Sequence, residues 1–160
     1  MPEVACAADG LRLYLAFDGG ATHRTSLTAE RLVSRFLAGN PDQPTVILDL
    51  DGCAWLDSTF AGWMVGLRQR LSEVGGCLVV SGCPGACRSS LEVMGLTPLF
   101  EFRALPRPPQ LDRVPCPEEE ADVATIEFML EAHQKLAEVS PANREVFARI
   151  AEELRRRLNH

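Results

Sequence analysis

The most constraining stretch of this 160-residue chain is a short apolar run followed closely by two hydroxyl residues. Residues 46–50 are apolar except for Asp49, and the sequence Asp57-Ser58-Thr59 comes soon after them. A run that barely alternates is typical of a strand buried on both faces, in the middle of a sheet and parallel to a neighbour. We therefore expect a central strand here that leads to a Ser/Thr pair at the start of a helix.

Other segments have strand patterns of their own. Apolar residues occupy every second position of residues 11–17, which predicts a half-buried strand. A continuous apolar run predicts another strand over residues 77–81, and residues 99–102 can add a last one. We expect these strands to join the central strand in one sheet.

Helical patterns separate the strands. One helix is expected to begin near Ala29, with Ser26 or Thr28 as its N-cap. Apolar residues recur every three or four positions over residues 60–74, which predicts a second helix, and a short third one opens at Pro84. The alternation of strands and helices predicts an α/β sheet with helices packed on it.

The composition changes after the predicted sheet. Five prolines fall within residues 105–117, which predicts a stiff, extended linker. It would join a domain of residues 1–104 to a C-terminal α-helical extension of residues 118–160.

The extension is expected to form a helical hairpin. Glu118-Glu119-Glu120 opens its first helix, where acidic side chains suit the helix dipole, and Ser140-Pro141 opens its second. His133 lies on the apolar face of the first helix, where a packed or rim histidine is more common than a ligand. Two such helices cannot bury their apolar faces alone, so they should pack on the domain, on a second copy in a homodimer, or on a partner.

Charge and composition exclude several functions. A net charge of −6 without a basic stripe argues against nucleic-acid binding. No apolar run approaches the roughly 20 residues that cross a bilayer, and no signal segment opens the chain, so we expect a cytoplasmic protein without direct membrane insertion. The six cysteines contain no CxxC pair, and Gly19-Gly20 is not followed by a phosphate-binding pattern. We expect neither a metal nor a cofactor.

The residues alone leave several interpretations of Asp57-Ser58-Thr59. The simplest is a helix cap, which needs no function. A nucleophilic serine needs a nearby base, but the three histidines are remote in sequence, and paired-carboxylate hydrolysis by Asp49, Asp51 and Asp57 lacks a second cluster. A third interpretation is a phosphoacceptor, because a phosphate at a helix N-terminus would gain free amides and add negative charge beside Asp57. We therefore expect no catalytic residues.

The pattern over about residues 10–103 resembles the STAS domain, the family of the anti-sigma-factor antagonists. The resemblance rests on the run at 46–50, on Leu56-Asp57-Ser58-Thr59-Phe60-Ala61-Gly62, on Gly75-Gly76 before a Leu-Val-Val strand, and on Met94-Gly95-Leu96. It implies a small mixed β-sheet with helices mainly on one side. The helical extension lies outside the resemblance.

The resemblance also implies a function. Ser58 would be the phosphorylation site, with Thr59 as the alternative, and the chain would be a regulator that binds proteins in a partner-switching pathway. Its partners would be an anti-sigma factor that is also a serine kinase, and a phosphatase. The expected partner-binding residues are Gly20, Thr22, Asp57, Ser58, Thr59 and Phe60.

A rival interpretation comes from a different class of protein. The chain could be a non-switching assembly subunit of a signalling complex, or of a membrane transporter for lipids or anions. Ser58 would then serve only as a cap, and the C-terminal hairpin would mediate assembly.

Overall fold

The structure, a computed structural model, describes residues 2–40, 42–118 and 122–160. In these residues strands and helices follow one another in a mixed order. The strands are β1 (Glu3–Asp9), β2 (Arg12–Ala16), β3 (Gly19–Ala21), β4 (Thr45–Asp49), β5 (Cys53–Leu56), β6 (Cys77–Ser81), β7 (Glu101–Phe102) and β8 (Asp112–Pro115). The helices are α1 (His23–Gly39), α2 (Ser58–Glu73), α3 (Gly85–Val93), α4 (Val123–Val139) and α5 (Pro141–Leu158), with a 3-10 turn at Thr97–Leu99.

The main sheet has the strand order β7-β6-β4-β2-β1-β8. Strands β2, β4, β6 and β7 run parallel to one another, whereas β1 runs antiparallel to both β2 and β8. Strand β4 lies between two parallel strands, and its last four residues are all buried. The predicted central strand is thus confirmed, shifted by one residue at each end. Its continuous apolar pattern follows from burial on both faces.

The helices pack on one face of this mixed sheet, as predicted. Alternate strand residues such as Leu15, Leu48 and Val80 point into a large core shared with the helices. The residues between them, such as Tyr14 and Ile47, form a smaller core on the opposite face. In the described residues that second face is covered by Leu105 and Leu111 rather than by a helix.

Strand β1 was missed in the sequence because small residues dominate it. Ala5, Ala7 and Ala8 give residues 3–9 no clear alternation of large apolar side chains. The strand is nevertheless secured on both sides, by β2 and by β8.

The segment predicted as a linker contributes to the sheet. Its residues Asp112–Pro115 form β8, which pairs with β1 in a register from Glu3↔Pro115 to Cys6↔Asp112. The last predicted strand, at residues 99–102, is shorter than expected, because a 3-10 turn takes residues 97–99 and only Glu101–Phe102 pair with β6. The division of the chain into three parts stays a prediction.

Helix α1 begins six residues before the predicted start at Ala29. Thr22 is its N-cap, and its side chain and that of Thr25 form a reciprocal capping box. Ser26 and Thr28, the predicted caps, are buried inside the helix instead. The prediction was wrong because a threonine took the place of the Glu or Gln that usually marks a capping box.

The C-terminal hairpin is present. Helix α5 begins at Pro141 with Ser140 as its N-cap, as predicted. Helix α4 begins at Val123 with Asp122 as its N-cap, so the predicted opening at Glu118 was five residues too early, and Glu119 and Glu120 lie outside the described residues. None of the helices in residues 2–40, 42–118 and 122–160 is long and apolar enough to cross a membrane.

Candidate functional site

Asp57 holds the starts of two helices together. It is the N-cap of α2, where its Oδ1 accepts a 2.8 Å hydrogen bond from the backbone N–H of Phe60. Its other oxygen, Oδ2, accepts a 2.9 Å bond from the backbone N–H of His23, the first residue of α1. The predicted capping role is confirmed for Asp57, and the cap serves both helices.

Ser58 is the first residue of α2 and is half-buried. Its Oγ lies 2.9 Å from Nε2 of His133, which belongs to α4 and is only 3% exposed. His133 Nδ1 lies 2.7 Å from the carbonyl oxygen of Met129. Since a carbonyl oxygen can only accept, Nδ1 carries a proton, and in the neutral imidazole Nε2 accepts the hydrogen bond from the Ser58 hydroxyl.

The contact between Ser58 and His133 was not predicted from the sequence. His133 was expected to be a packed or rim residue, which its burial confirms, but its bond to a serine 75 positions earlier was not foreseen. The only signal was its place on the apolar face of α4, which shows burial but not the partner.

The Ser58–His133 pair has part of the geometry of a serine nucleophile with its base. Two features argue against that use. The imidazole is oriented by a neutral carbonyl rather than a carboxylate, and the carboxylate of Asp57 stands next to Ser58, where an oxyanion would be repelled. The arrangement holds the hydroxyl in one orientation and offers little stabilisation to an acyl-transfer intermediate.

Thr59 and Phe60 do not fit the predicted partner-binding surface. Thr59 is 3% exposed and Phe60 is completely buried. The Phe60 ring packs edge-on against Phe17 and Trp63, with centroid separations of 4.9 and 5.3 Å. Both residues follow the helix start at positions that face the core, so they hold α2 on the sheet rather than contact a partner.

Gly20 and Thr22 do lie close to the start of α2. Gly20 belongs to β3, which pairs in parallel with β5 as a separate two-stranded sheet, and Thr22 caps α1. The backbone N–H of Asp57 donates a 2.9 Å bond to the carbonyl of Ala21. The structure therefore brings together the two segments that the sequence placed in one surface.

Trp55 also lies at this surface, although it was not among the predicted residues. Its side chain is 52% exposed, and a Cβ atom at Gly20 would lie only 2.8 Å from the indole ring. Glycine at position 20 is therefore what allows the indole to lie against β3. An exposed tryptophan next to a helix start is a common anchor in protein interfaces.

A polar network fixes the turn that precedes Gly20. Asp49, at the end of β4, is buried and accepts hydrogen bonds from the Tyr14 hydroxyl and from Arg107 Nε, the latter at 3.0 Å. The same guanidinium makes two bonds to Asp18, at 3.2 and 3.0 Å. Burial and the bond to Asp49 raise the pKa of Tyr14, so this phenol stays a neutral donor.

This network also bears on paired-carboxylate chemistry. Asp49 is engaged by Arg107 and Tyr14, and Asp57 by two backbone amides. Neither carboxylate is poised as a general acid or base, so the structure gives no support to hydrolysis by these aspartates. In the described ranges, no group of three or more His, Cys, Asp or Glu side chains could hold a metal ion.

The profile of the STAS domain family matches residues 7–106. Because this match covers more than half of the chain, the protein belongs to the STAS domain family. The match ends before α4 and α5, so the hairpin that bears His133 is an addition to the family's domain. A comparison with curated protein sequences gives no match.

Solved structures of anti-sigma factor antagonists are similar to this chain. The anti-sigma factor antagonist SpoIIAA in its unphosphorylated form has a TM-score of 0.56 at 16% identity, over 63% of this chain and 88% of that one. An anti-sigma factor antagonist from Mycobacterium paratuberculosis has a TM-score of 0.48 at 19% identity, over 62% and 82% of the respective chains. At such identities the likeness to SpoIIAA shows a shared fold.

Proposed function

We propose that this protein is an anti-sigma-factor-antagonist-like regulator whose binding to other proteins is switched by phosphorylation of Ser58. The observation that carries the proposal is the position of Ser58, a half-buried residue, as the first residue of α2. A phosphate at a helix N-terminus is favoured by the free amides and by the dipole. SpoIIAA is described as an anti-sigma factor antagonist with an unphosphorylated form, and we extend that property to this chain.

The expected effect of the phosphate is electrostatic. It would add roughly −1.5 to −2 charges next to the carboxylate of Asp57 and close to Gly20, Thr22 and Trp55. A partner that docks on this surface in the unmodified state would then meet strong repulsion. One local change therefore suffices to release a bound protein.

The proposed partners are an anti-sigma factor that is also a serine kinase, and a phosphatase that resets the site. The protein would act in the cytoplasm, without enzymatic activity, cofactor or nucleic-acid contact of its own. Thr59 is a poor alternative acceptor, because its side chain is buried.

Phosphorylation at one residue tests this proposal directly. The full chain would be incubated with its cognate serine kinase and ATP, and phosphopeptides would be mapped by mass spectrometry. We expect one phosphate on Ser58 and none in Ser58→Ala. Ser89→Ala is a matched control, since Ser89 is an exposed serine in the first turns of α3. Equal phosphate incorporation in Ser58→Ala and the wild type would refute the proposal.

One observation favours the rival function of a non-switching assembly subunit. Val146 and Ile150, one turn apart on α5, are 59% and 39% exposed. An unpartnered apolar stripe of this kind favours self-association through the hairpin. If Ser58→Ala and a phosphorylated chain bind the same partners equally well, the assembly role is the better description.

A further inference from the structure

Helix α4 lies directly across the helix that carries Ser58. A Cβ atom at Gly62 of α2 would overlap the backbone carbonyl of Ala132 in α4, so the two helices meet at backbone contact distance. Two turns further along α2, Lys135 Nζ donates a 2.9 Å bond to Gln69 Oε1. Small residues at such crossings let helices approach closely, and here Gly62 makes the approach feasible.

The close approach of α4 to α2 brings the side chain of His133 into contact with that of Ser58. Ser58 Oγ and His133 Nε2 lie 2.9 Å apart and are joined by one hydrogen bond. His133 is itself enclosed, since its ring centroid lies 6.0 Å from that of Phe147 on α5. A phosphoryl group brings three further oxygen atoms to Ser58 Oγ, and His133 occupies one side of that atom while α4 stays in place.

The hairpin packs on the domain mainly through α4, which turns one face of its side chains toward α2. In α4 the fully buried ones are Ala132, His133 and Leu136, and from α5 Asn143 Nδ2 donates a 2.9 Å bond to the carbonyl of Met94. A pair of helices packed outside the sheet can separate from it without unfolding the sheet, because stability is distributed unevenly within a domain.

We propose that α4 is an intramolecular cover of Ser58, and that Ser58 becomes a kinase substrate only when α4 leaves α2. The inference rests on the proposed function of Ser58. In the phosphorylation step, Ser58 Oγ forms a bond to the γ-phosphorus of ATP while the bond to the β-phosphate oxygen breaks. ADP leaves, and the hydroxyl proton is released. The hydrogen bond to His133 must be lost before this step.

Two glycines on the same helix provide a matched pair of variants. Gly62→Ala would force α4 away, whereas at Gly66 a Cβ atom would meet only Lys135 Cγ, at an ordinary 3.7 Å. Both changes raise the helix propensity of α2 equally, so they differ only in their effect on α4. Leu136→Ala is a second way to loosen α4, by removing a buried side chain without changing α2.

The first measurement uses diethyl pyrocarbonate, which modifies accessible imidazole nitrogens, on the full chain. We expect modification of His133 to be at least about tenfold faster in Gly62→Ala and Leu136→Ala than in the wild type and Gly66→Ala. The exposed His160 serves as an internal reference for reagent activity. Hydrogen exchange in β4 and β6 reports whether each variant keeps its fold. Equal modification of His133 in all four proteins would overturn the inference.

The second measurement separates this inference from the proposed function. A soluble extract of the cells that make this protein is supplied with ATP, and Ser58 phosphorylation is followed in the same four proteins. Faster phosphorylation in Gly62→Ala and Leu136→Ala supports the cover. Equal rates in all four proteins, with His133 exposed in two of them, overturn the cover but leave the proposed function standing. If no protein is phosphorylated on Ser58, the proposed function fails and the cover fails with it.

Discussion

Asp57 is the residue on which the candidate site depends most. One carboxylate closes the first turn of α2 and also holds the first amide of α1, so the two helix starts are fixed relative to each other. Ser58 directly follows Asp57, and Thr22 directly precedes the amide of His23. The position of the Ser58 hydroxyl is therefore determined by a side chain that need not contact any partner.

Replacing Asp57 should lower stability in proportion to the bonds that are lost. We expect Asp57→Ala to reduce the free energy of unfolding by about 2 kcal/mol, because both helix amides lose their acceptor. Asp57→Asn keeps one acceptor oxygen and should lose about 1 kcal/mol. Urea denaturation with an unchanged m-value would measure both losses. Asp42→Ala, at an exposed position, is the control and should change stability by less than about 0.5 kcal/mol. A similar loss for Asp42→Ala and Asp57→Ala would contradict the capping argument.

The candidate site was only partly predictable from its residues. The capping oxygen of Asp57 belongs to a local motif, so sequence spacing was enough to find it. The bond between Ser58 and His133 and the bridge from Arg107 to Asp49 join residues 75 and 58 positions apart. A single sequence carries no local pattern for such contacts, because they depend on which helix and which segment fold over the sheet.

Helices and strands, too, could be predicted where residues close in sequence carry a clear pattern. Helix α5 was foreseen correctly, because Ser140-Pro141 combines a capping hydroxyl with a proline at the first helical position. Strand β4 was foreseen because burial on both faces leaves a continuous apolar run. Strands β5 and β8 were not foreseen. Trp55 in β5 and Arg113 in β8 are exposed, and short edge strands of this kind are held by backbone pairing that leaves no periodic pattern.

The start of α4 should depend on pH through its cap. Asp122 Oδ1 accepts a 2.8 Å bond from the Thr125 N–H, and hydrogen bonding to Thr125, together with the nearby positive charge of Arg31, holds the pKa of Asp122 below its ordinary value. A lowered pKa in the folded state means that the ionised cap stabilises the helix start above the ordinary pKa of an aspartate. This contribution is lost as the pH falls through the lowered folded value, below about pH 4.

The Thr125 amide is the local probe for this effect. We expect its NMR chemical shift to be constant from pH 7 to about pH 5 and to move below about pH 4 as the cap is protonated. Asp122→Asn keeps an acceptor oxygen at the cap but cannot titrate, so its Thr125 shift should stay flat. A titration of the same size in Asp122→Asn would show that another carboxylate is responsible.

At the scale of the whole molecule, the sheet is covered from two sides by segments of different kinds. Helices cover one face, and residues 105–117 cover the other with Leu105 and Leu111. The same segment fastens itself by three means: the 3.0 Å bond from Leu105 N–H to Ser81 Oγ, the Arg107 bridge to Asp49 and Asp18, and strand β8. This segment therefore acts as a strap across the sheet, although its prolines suggested a stiff, extended linker.

Two truncations of the chain should separate the strap from the hairpin. A chain that ends at Pro117 keeps the strap, and a chain that ends at Ala104 loses it, while both lack the hairpin and expose the same face of α2. We expect the shorter chain to be less stable by at least about 3 kcal/mol, because the apolar face under Leu105 and Leu111 is uncovered, Asp49 loses its cation and β1 loses its outer partner. Urea denaturation followed by circular dichroism would measure the difference. Adding Arg107→Ala to the longer chain should remove a large part of the difference in stability between the two chains. That part would then be due to the loss of the cation that pairs with the buried carboxylate of Asp49. Equal stability of the two truncated chains would instead mean that residues 105–117 are the linker their prolines suggest, and that the domain ends at residue 104.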